Sequence, residues 1–210
     1  RYDAPNDEFT GRIGGSEPNA PDTWNFSIDV ARAWEAAANE FRTPHTRLVL
    51  MRSAMTMSPD KGGVFDVLHT LTRRGLGGTN GDGRQYVSWI HEVDFLRSIN
   101  WLIDHPELDG PVNLASPHPL PNADFMKALR DAANVPIGLP ATRWMLEIGA
   151  FFLRTETELI LKSRRVTPAR LLESGFEFHF PHWHEAAVEL CRRASRNRTA
   201  RLNPNAPRSV

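Results

Sequence analysis

The sequence predicts an α/β fold with parallel strands, followed by a smaller, mostly helical C-terminal part. Three observations lead there. Short apolar runs bounded by turn residues alternate with helix-period segments up to about residue 135, the order that builds a parallel sheet. After Pro136 the pattern changes to helices with a single alternating run. The composition, 40% hydrophobic and 24% charged over 210 residues, is that of a globular chain long enough to bury a core.

Residues 1–24 carry Pro5, Gly11, Gly14, Gly15, Pro18 and Pro21, and read as loop. From Asn25, "NFSIDVARAWEAAANEF" repeats Phe26, Val30, Ala33 and Trp34 at helical spacing. "TRLVLMRS" is a short apolar run after Pro44 and predicts a buried strand. "GGVFDVLHTLTRRG" predicts a helix stopped by Gly75. The glycine-rich "GLGGTNGDGRQ" then leads to a strand, "YVSWI", and to a helix from His91 to about His105. "GPVNLAS" predicts a further strand and "PNADFMKALRDAA" a helix, with Asn122 as its cap. Beyond residue 136, "PATRWMLEIGAFFL", "TPARLLESG" and "HWHEAAVELCRR" predict helices, and "FEFHF" alternates like a strand. The expected division is 1–135, 136–194, and a disordered polar tail at 195–210.

Several function classes are disfavoured by composition. Lys+Arg and Asp+Glu both number 25, so no net charge draws the chain to nucleic acid or to a membrane surface. The arginines of the last stretch, Arg192, Arg193, Arg196, Arg198 and Arg201, read as a solvated end. The longest apolar run, Trp144 to Leu153, is about half of the roughly 20 residues a membrane helix needs and contains Glu147. The single cysteine, Cys191, permits no internal disulfide and reads as an inert helix residue. With no signal-peptide pattern, it points to a reducing cytoplasm. The chain opens on Arg1 in a turn-rich polar stretch, as though a segment were missing upstream.

His91, Glu92 and Asp94 form the densest titratable cluster. A His-Glu-x-x-His zinc site would need histidine at 95, where the chain has Phe95, so no metal is expected. The first turn of a helix accounts for the acids, which meet free amides there, but not for the histidine. Gly75, Gly77, Gly78, Gly81 and Gly83 miss the dinucleotide spacing and lie between a helix and a strand. They predict a flexible loop with Arg84 as its anion-binding group. Trp34 and Trp101 fall on apolar helical faces and are expected in the core. Trp89 stands at a strand end beside His91. Ligands bind beyond the carboxyl ends of parallel strands, so "LVLMRSAMTM", "YVSWIH" and "NLASPHP", with Ser116 and His118, mark the expected cleft. There is no Gly-x-Ser-x-Gly elbow.

"RLVLMRSAMTMSPDKGGVFDVL", "GLGGTNGDGRQYVSWIHEVDF" and "GPVNLASPHPLPNADFMKAL" resemble the latter part of the extended short-chain dehydrogenase/reductase fold. The closer resemblance is to its atypical branch, the epimerase family proteins related to nucleotide-sugar epimerases. "ELILKSRRVTPARLLESGFEFHFP" resembles that branch's C-terminal domain of unknown function. The resemblance implies the C-terminal part of a Rossmann-like parallel sheet with substrate-cleft elements, and NADP(H) as cofactor. The pyrophosphate-binding strand and turn of that family have no counterpart in this chain. It further implies cofactor contacts at Met55 and Thr56, and a small-molecule, nucleotide-sugar-like substrate near Arg84, Trp89 and His91.

The family's Tyr-x-x-x-Lys relay is absent. Asn6 follows Tyr2 by four residues and Ile90 follows Tyr86, while the helix that should carry the motif reads "NFSIDVARAWE". In the family the lysine lowers the tyrosine's pKa so that a proton can pass as hydride moves. Three expectations remain open. The chain is an epimerase- or oxidoreductase-like protein with its proton donor at His91, Asp94 or upstream; a non-catalytic nucleotide-binding or scaffold protein; or an inactive truncated fragment with exposed strand edges.

Overall fold

The computed structural model describes residues 4–11, 14, 22–41, 44–139 and 163–202. Helix α1 runs Asp22–Glu40, three residues earlier than its periodicity suggested. Two parallel pairs form the α/β layer. Strand β1 (Val49–Ser53) pairs with β5 (Gly110–Leu114), and β2 (Met55–Met57) with β4 (Trp89–His91). A short antiparallel pair, β3 (Tyr86–Val87) with β6 (Leu120–Pro121), closes one side. Helices α2 (Val64–Leu71) and α3 (Glu92–Asp104) lie between successive strands, and α4 (Asn122–Ala132), α5 (Ala169–Glu173) and α6 (Trp183–Leu202) follow the last described strand. The α/β class with parallel pairing is the one the sequence predicts.

Two predicted strands are divided. "TRLVLMRS" forms β1 only from Val49, and after Ala54 the chain begins β2 with a different partner. It is also less buried than expected, with Met51 49% exposed. "YVSWI" breaks at Ser88, whose hydroxyl donates to Arg164 O (2.5 Å) and accepts from Val166 N (2.8 Å). That side chain takes two bonds from the neighbouring segment 163–167, and the strand changes partners there.

"FEFHF" is no strand. The carboxylate of Asp94 accepts the amides of His179 and Phe180 (2.9 and 2.8 Å), taking backbone donors that a ladder would need. The tail prediction is likewise corrected over 195–202, where α6 continues to Leu202. Ser195 Oγ donates to Cys191 O and Thr199 Oγ1 to Ser195 O along it (3.0 and 3.1 Å). Asn122 does not cap α4. It is the first helical residue, and its Oδ1 accepts from Asn80 N (2.8 Å), pinning the glycine-rich loop. The helix ending at Gly75 closes through a π-type turn, Thr72–Leu76, with Gly75 at φ 76°. The predicted helix 140–153 lies outside the described residues.

The core has two parts. One joins Met57, Phe65 and Trp89 to Phe125 and Leu129 of α4 and to Trp183, Ala187 and Leu190 of α6. The other joins Ile90, Leu102, Val112 and Leu114 to Leu171 and Phe176. Residues 163–202 thus contribute to both clusters and fasten onto the sheet. Trp101 packs at the edge of the second cluster and donates Nε1–H to Ser174 Oγ (2.9 Å). Trp34 is not in the core: it is 74% exposed, beside Phe26 and Phe41 at 71% and 79%. The stripe that the α1 pattern predicted is real, but no described residue covers it. No described helix is long and apolar enough to cross a membrane.

Candidate functional site

The cluster His91–Asp94 is built for structure. His91 is the residue before α3, and its Nδ1 accepts from Val93 N (3.1 Å), filling the capping role that sequence alone left unexplained. An accepting Nδ1 places the ring proton on Nε2, which lies 3.0 Å from Glu189 Oε2 on α6 and donates to it. The ring is fully enclosed and stacks on Phe180 at 4.0 Å. Asp94 is also fully buried and accepts three bonds, from Arg97 Nη1 and from the amides of His179 and Phe180. Neither group faces solvent or has a free proton position. Trp89 is enclosed as well, packed edge-on against Trp183 at 4.9 Å, with its indole N–H unpaired. Arg84 lies apart on an exposed turn, where its amide donates to Asp82 Oδ1 (3.0 Å).

The open chemistry lies elsewhere. A cleft of about 380 Å³ opens where β1 gives way to β2, beside Asn113 of β5 and Ser88. That is the carboxyl end of the parallel pair, where open α/β sheets hold ligands. Met55 lines it. Thr56 adjoins it, its hydroxyl 3.3 Å from Ser53 Oγ, so both expected cofactor residues fall at one mouth.

Glu35 of α1 and Arg52 of β1 form its charged wall. Arg52 donates Nε–H to Oε1 (2.7 Å) and an Nη2 proton to Oε2 (2.8 Å), a bidentate pair with both side chains about two-thirds or more covered. The hydrogen bonds from Arg52 hold the Glu35 carboxyl below its usual range, against the opposing effect of burial. Glu35 is therefore a carboxylate at neutral pH and has no proton to give. Its stabilising share is complete above the ordinary carboxylate pKa and disappears as pH falls through the depressed one. Acid unfolding of Glu35→Gln should accordingly show a flatter loss of stability below about pH 4.5 than the parent. An unchanged slope would mean the pair contributes nothing.

The opposite wall is stitched from distant parts of the chain. Glu8 Oε1 accepts from Asn113 N (2.8 Å) and Oε2 from Ala169 N (3.0 Å). Asn6 pairs with segment 163–167 through Asn6 N to Arg165 O (2.6 Å) and Thr167 N to Asn6 O (3.1 Å). Sequence reasoning missed Glu8, Glu35, Arg52, Ser88 and Asn113. Only Arg52 carried a signal, a charge inside an apolar strand. Among the described residues no group of three or more metal-ligating side chains converges.

Cys191 is buried, and burial pushes its thiol up to about 11, so it stays protonated at neutral pH.

A parallel α/β sheet with a cleft at its strand ends is the arrangement of the doubly wound α/β folds, and similarity to known proteins narrows it to one family. The chain is 37% identical over 156 residues to epimerase family protein Mb2239 of Mycobacterium bovis, across 73% of this chain and 50% of the relative. It is 34% identical over 174 residues to ML0860 of Mycobacterium leprae, across 82% and 55%. Residues 141–190 match a domain of unknown function, DUF1731. The human epimerase family protein SDR39U1, solved with NADPH, superposes with TM-score 0.76 at 27% identity, covering 91% of this chain and 61% of that one. A nucleoside-diphosphate sugar epimerase from Corynebacterium glutamicum gives 0.67 at 26%, covering 99% and 38%. The chain belongs to the epimerase family proteins of the atypical short-chain dehydrogenase/reductases. It spans about half the length of the curated relatives it matches.

Proposed function

We propose that the cleft beside Glu35 and Arg52 receives the nicotinamide end of NADP(H) in an epimerase-like protein whose substrate is of the nucleotide-sugar kind. The observation that carries it is the position of Met55 and Thr56 at a cleft of ligand size, at the carboxyl end of a parallel pair. A relative solved with NADPH supports the cofactor. Bound there, the nicotinamide would supply or accept hydride. The chain's own groups would position and enclose it, with Ser53 and Thr56 offering hydroxyls at the mouth and Glu35 and Arg52 setting a fixed charge pair.

The groups that the sequence put forward as proton donors are committed to other contacts. Glu35 is held ionised, and His91 and Asp94 are enclosed with their polar atoms engaged. That favours binding over ordinary dehydrogenation by this chain alone, and it is why the non-catalytic nucleotide-binding reading stands as the second one. NADPH fluorescence titration, on the longest form that the gene encodes, tests the first. Binding is expected, and Ala54→Trp, which places an indole against the cleft, should weaken it about tenfold while circular dichroism stays unchanged. Absence of NADPH binding by the unsubstituted protein sinks the proposal.

A further inference from the structure

A second concavity, of about 550 Å³, lies between α2 and the C-terminal half of α6 and shares no lining residue with the cleft above. Its walls carry Lys61, Arg73 and Arg74 from one side and Arg198 from the other. None of these four cations has a hydrogen-bond or ion-pair partner among the described residues, and all are exposed. A protein of zero formal net charge has here gathered four unpaired positive groups in one groove. Asp66 is the one acid there, and it accepts the Gly62 amide (2.9 Å).

His69 supplies the second, independent observation. It is 5% exposed and stacks against Phe65 at 5.6 Å, and its imidazole ring lines the groove with no hydrogen bond to another described residue. A largely buried histidine whose ring meets the groove without a protein partner leaves its nitrogens to whatever fills that groove. Burial first, then Arg73 of the π-type turn after α2 and Arg198 of α6, pull its pKa below the ordinary value, with Asp66 opposing. It is neutral at pH 7. An anion between these groups would satisfy the ring, neutralise the arginines and restore the histidine's affinity for a proton.

We infer that the groove between α2 and α6 is a binding site for a diphosphate-bearing small molecule, gripped by Arg73, Arg74, Arg198 and Lys61 with His69 at its floor. Arginine forks match phosphate oxygens in pairs, and four cations exceed what a single carboxylate would need. The volume is that of a nucleotide-sized ligand. This inference stands apart from the NADP(H) reading, since the groove could bind its ligand whether or not the cleft binds a nicotinamide.

The test is calorimetry on the full chain with inorganic pyrophosphate and with uridine diphosphate, joined to NMR titration of the His69 imidazole. Saturable one-to-one binding is expected. Arg73→Gln with Arg198→Gln should weaken it about tenfold or more. The His69 pKa should rise when the site is saturated, and His69→Gln identifies that resonance by its loss. Tighter binding of uridine diphosphate would assign a nucleotide, and equal binding would assign the diphosphate alone; either supports the site. Absence of saturation, affinity unchanged in the double variant, or an oligonucleotide that displaces both ligands would overturn it.

Discussion

Asp94→Ala should lower the unfolding free energy by about 3–5 kcal/mol, because it removes one side of a buried charge arrangement. The carboxylate is wholly enclosed and serves three donors from two parts of the chain. Two of them are the amides of His179 and Phe180, which have no strand partner. Without Asp94 these amides would be left without their acceptor, each costing about 1–3 kcal/mol. Arg97 keeps its bond to Glu177 O (2.7 Å), so the arginine itself is not stranded. Asp94→Asn separates charge from geometry. One amide oxygen still accepts, while the NH₂ group opposes a donor, and an intermediate loss of about 2 kcal/mol is expected. Urea denaturation of both variants gives the comparison. A loss below about 1 kcal/mol for Asp94→Ala would mean that water replaces the carboxylate, and that residues 176–180 are held by their phenylalanines and the bonds to Arg97 and Leu171.

That arrangement also shows where the sequence could be read and where it could not. Helix periodicity and turn residues placed α2, α3, α4 and α6 because their signals are local: an apolar stripe, a stopping glycine, acids in a first turn. "FEFHF" misled because alternation records only that side chains take opposite sides. It does not say which acceptor claims the amides, and that acceptor, Asp94, lies 85 residues away. The same holds for Ser88, whose two bonds to segment 163–167 break a run that looks continuous. Trp34 fitted a helical stripe, and periodicity cannot tell what will cover it. The His91 cluster looked like chemistry because titratable groups were adjacent. Its histidine proved to be a cap facing Glu189, 98 residues on. Of the cleft, Met55 and Thr56 could be placed by resemblance. Glu8, Glu35 and Asn113 could not, since their meeting depends on contacts across 17 to 161 residues of chain.

Trp183→Ala is expected to cost about 3–5 kcal/mol, and its consequence reaches beyond stability. Trp183 opens α6, stacks on Phe125 at 4.1 Å and 9°, meets Trp89 edge-on at 4.9 Å, and donates Nε1–H to Phe125 O (2.9 Å). Ala186, Ala187 and Leu190 complete the same seam, with Cys191 behind them. Small residues let α6 lie close to α4, so the indole carries much of the apolar contact and its removal leaves a void that alanines cannot fill. Trp183→Phe keeps a ring over Phe125 and loses the hydrogen bond, for which about 1 kcal/mol is expected. Cys191 reports directly on the helix it occupies. Its thiol is enclosed and pushed up to about 11, so it should react slowly with a disulfide reagent in the parent and in Trp183→Phe, and much faster in Trp183→Ala. Arg198 lies two turns further along α6, so a helix that lifts from the core also withdraws one wall of the basic groove. Pyrophosphate affinity should therefore fall in Trp183→Ala, where cysteine reactivity rises, and hold in Trp183→Phe. If Cys191 becomes reactive in Trp183→Ala while the groove binds as before, the end of α6 is held by α2 and not by the seam at its start.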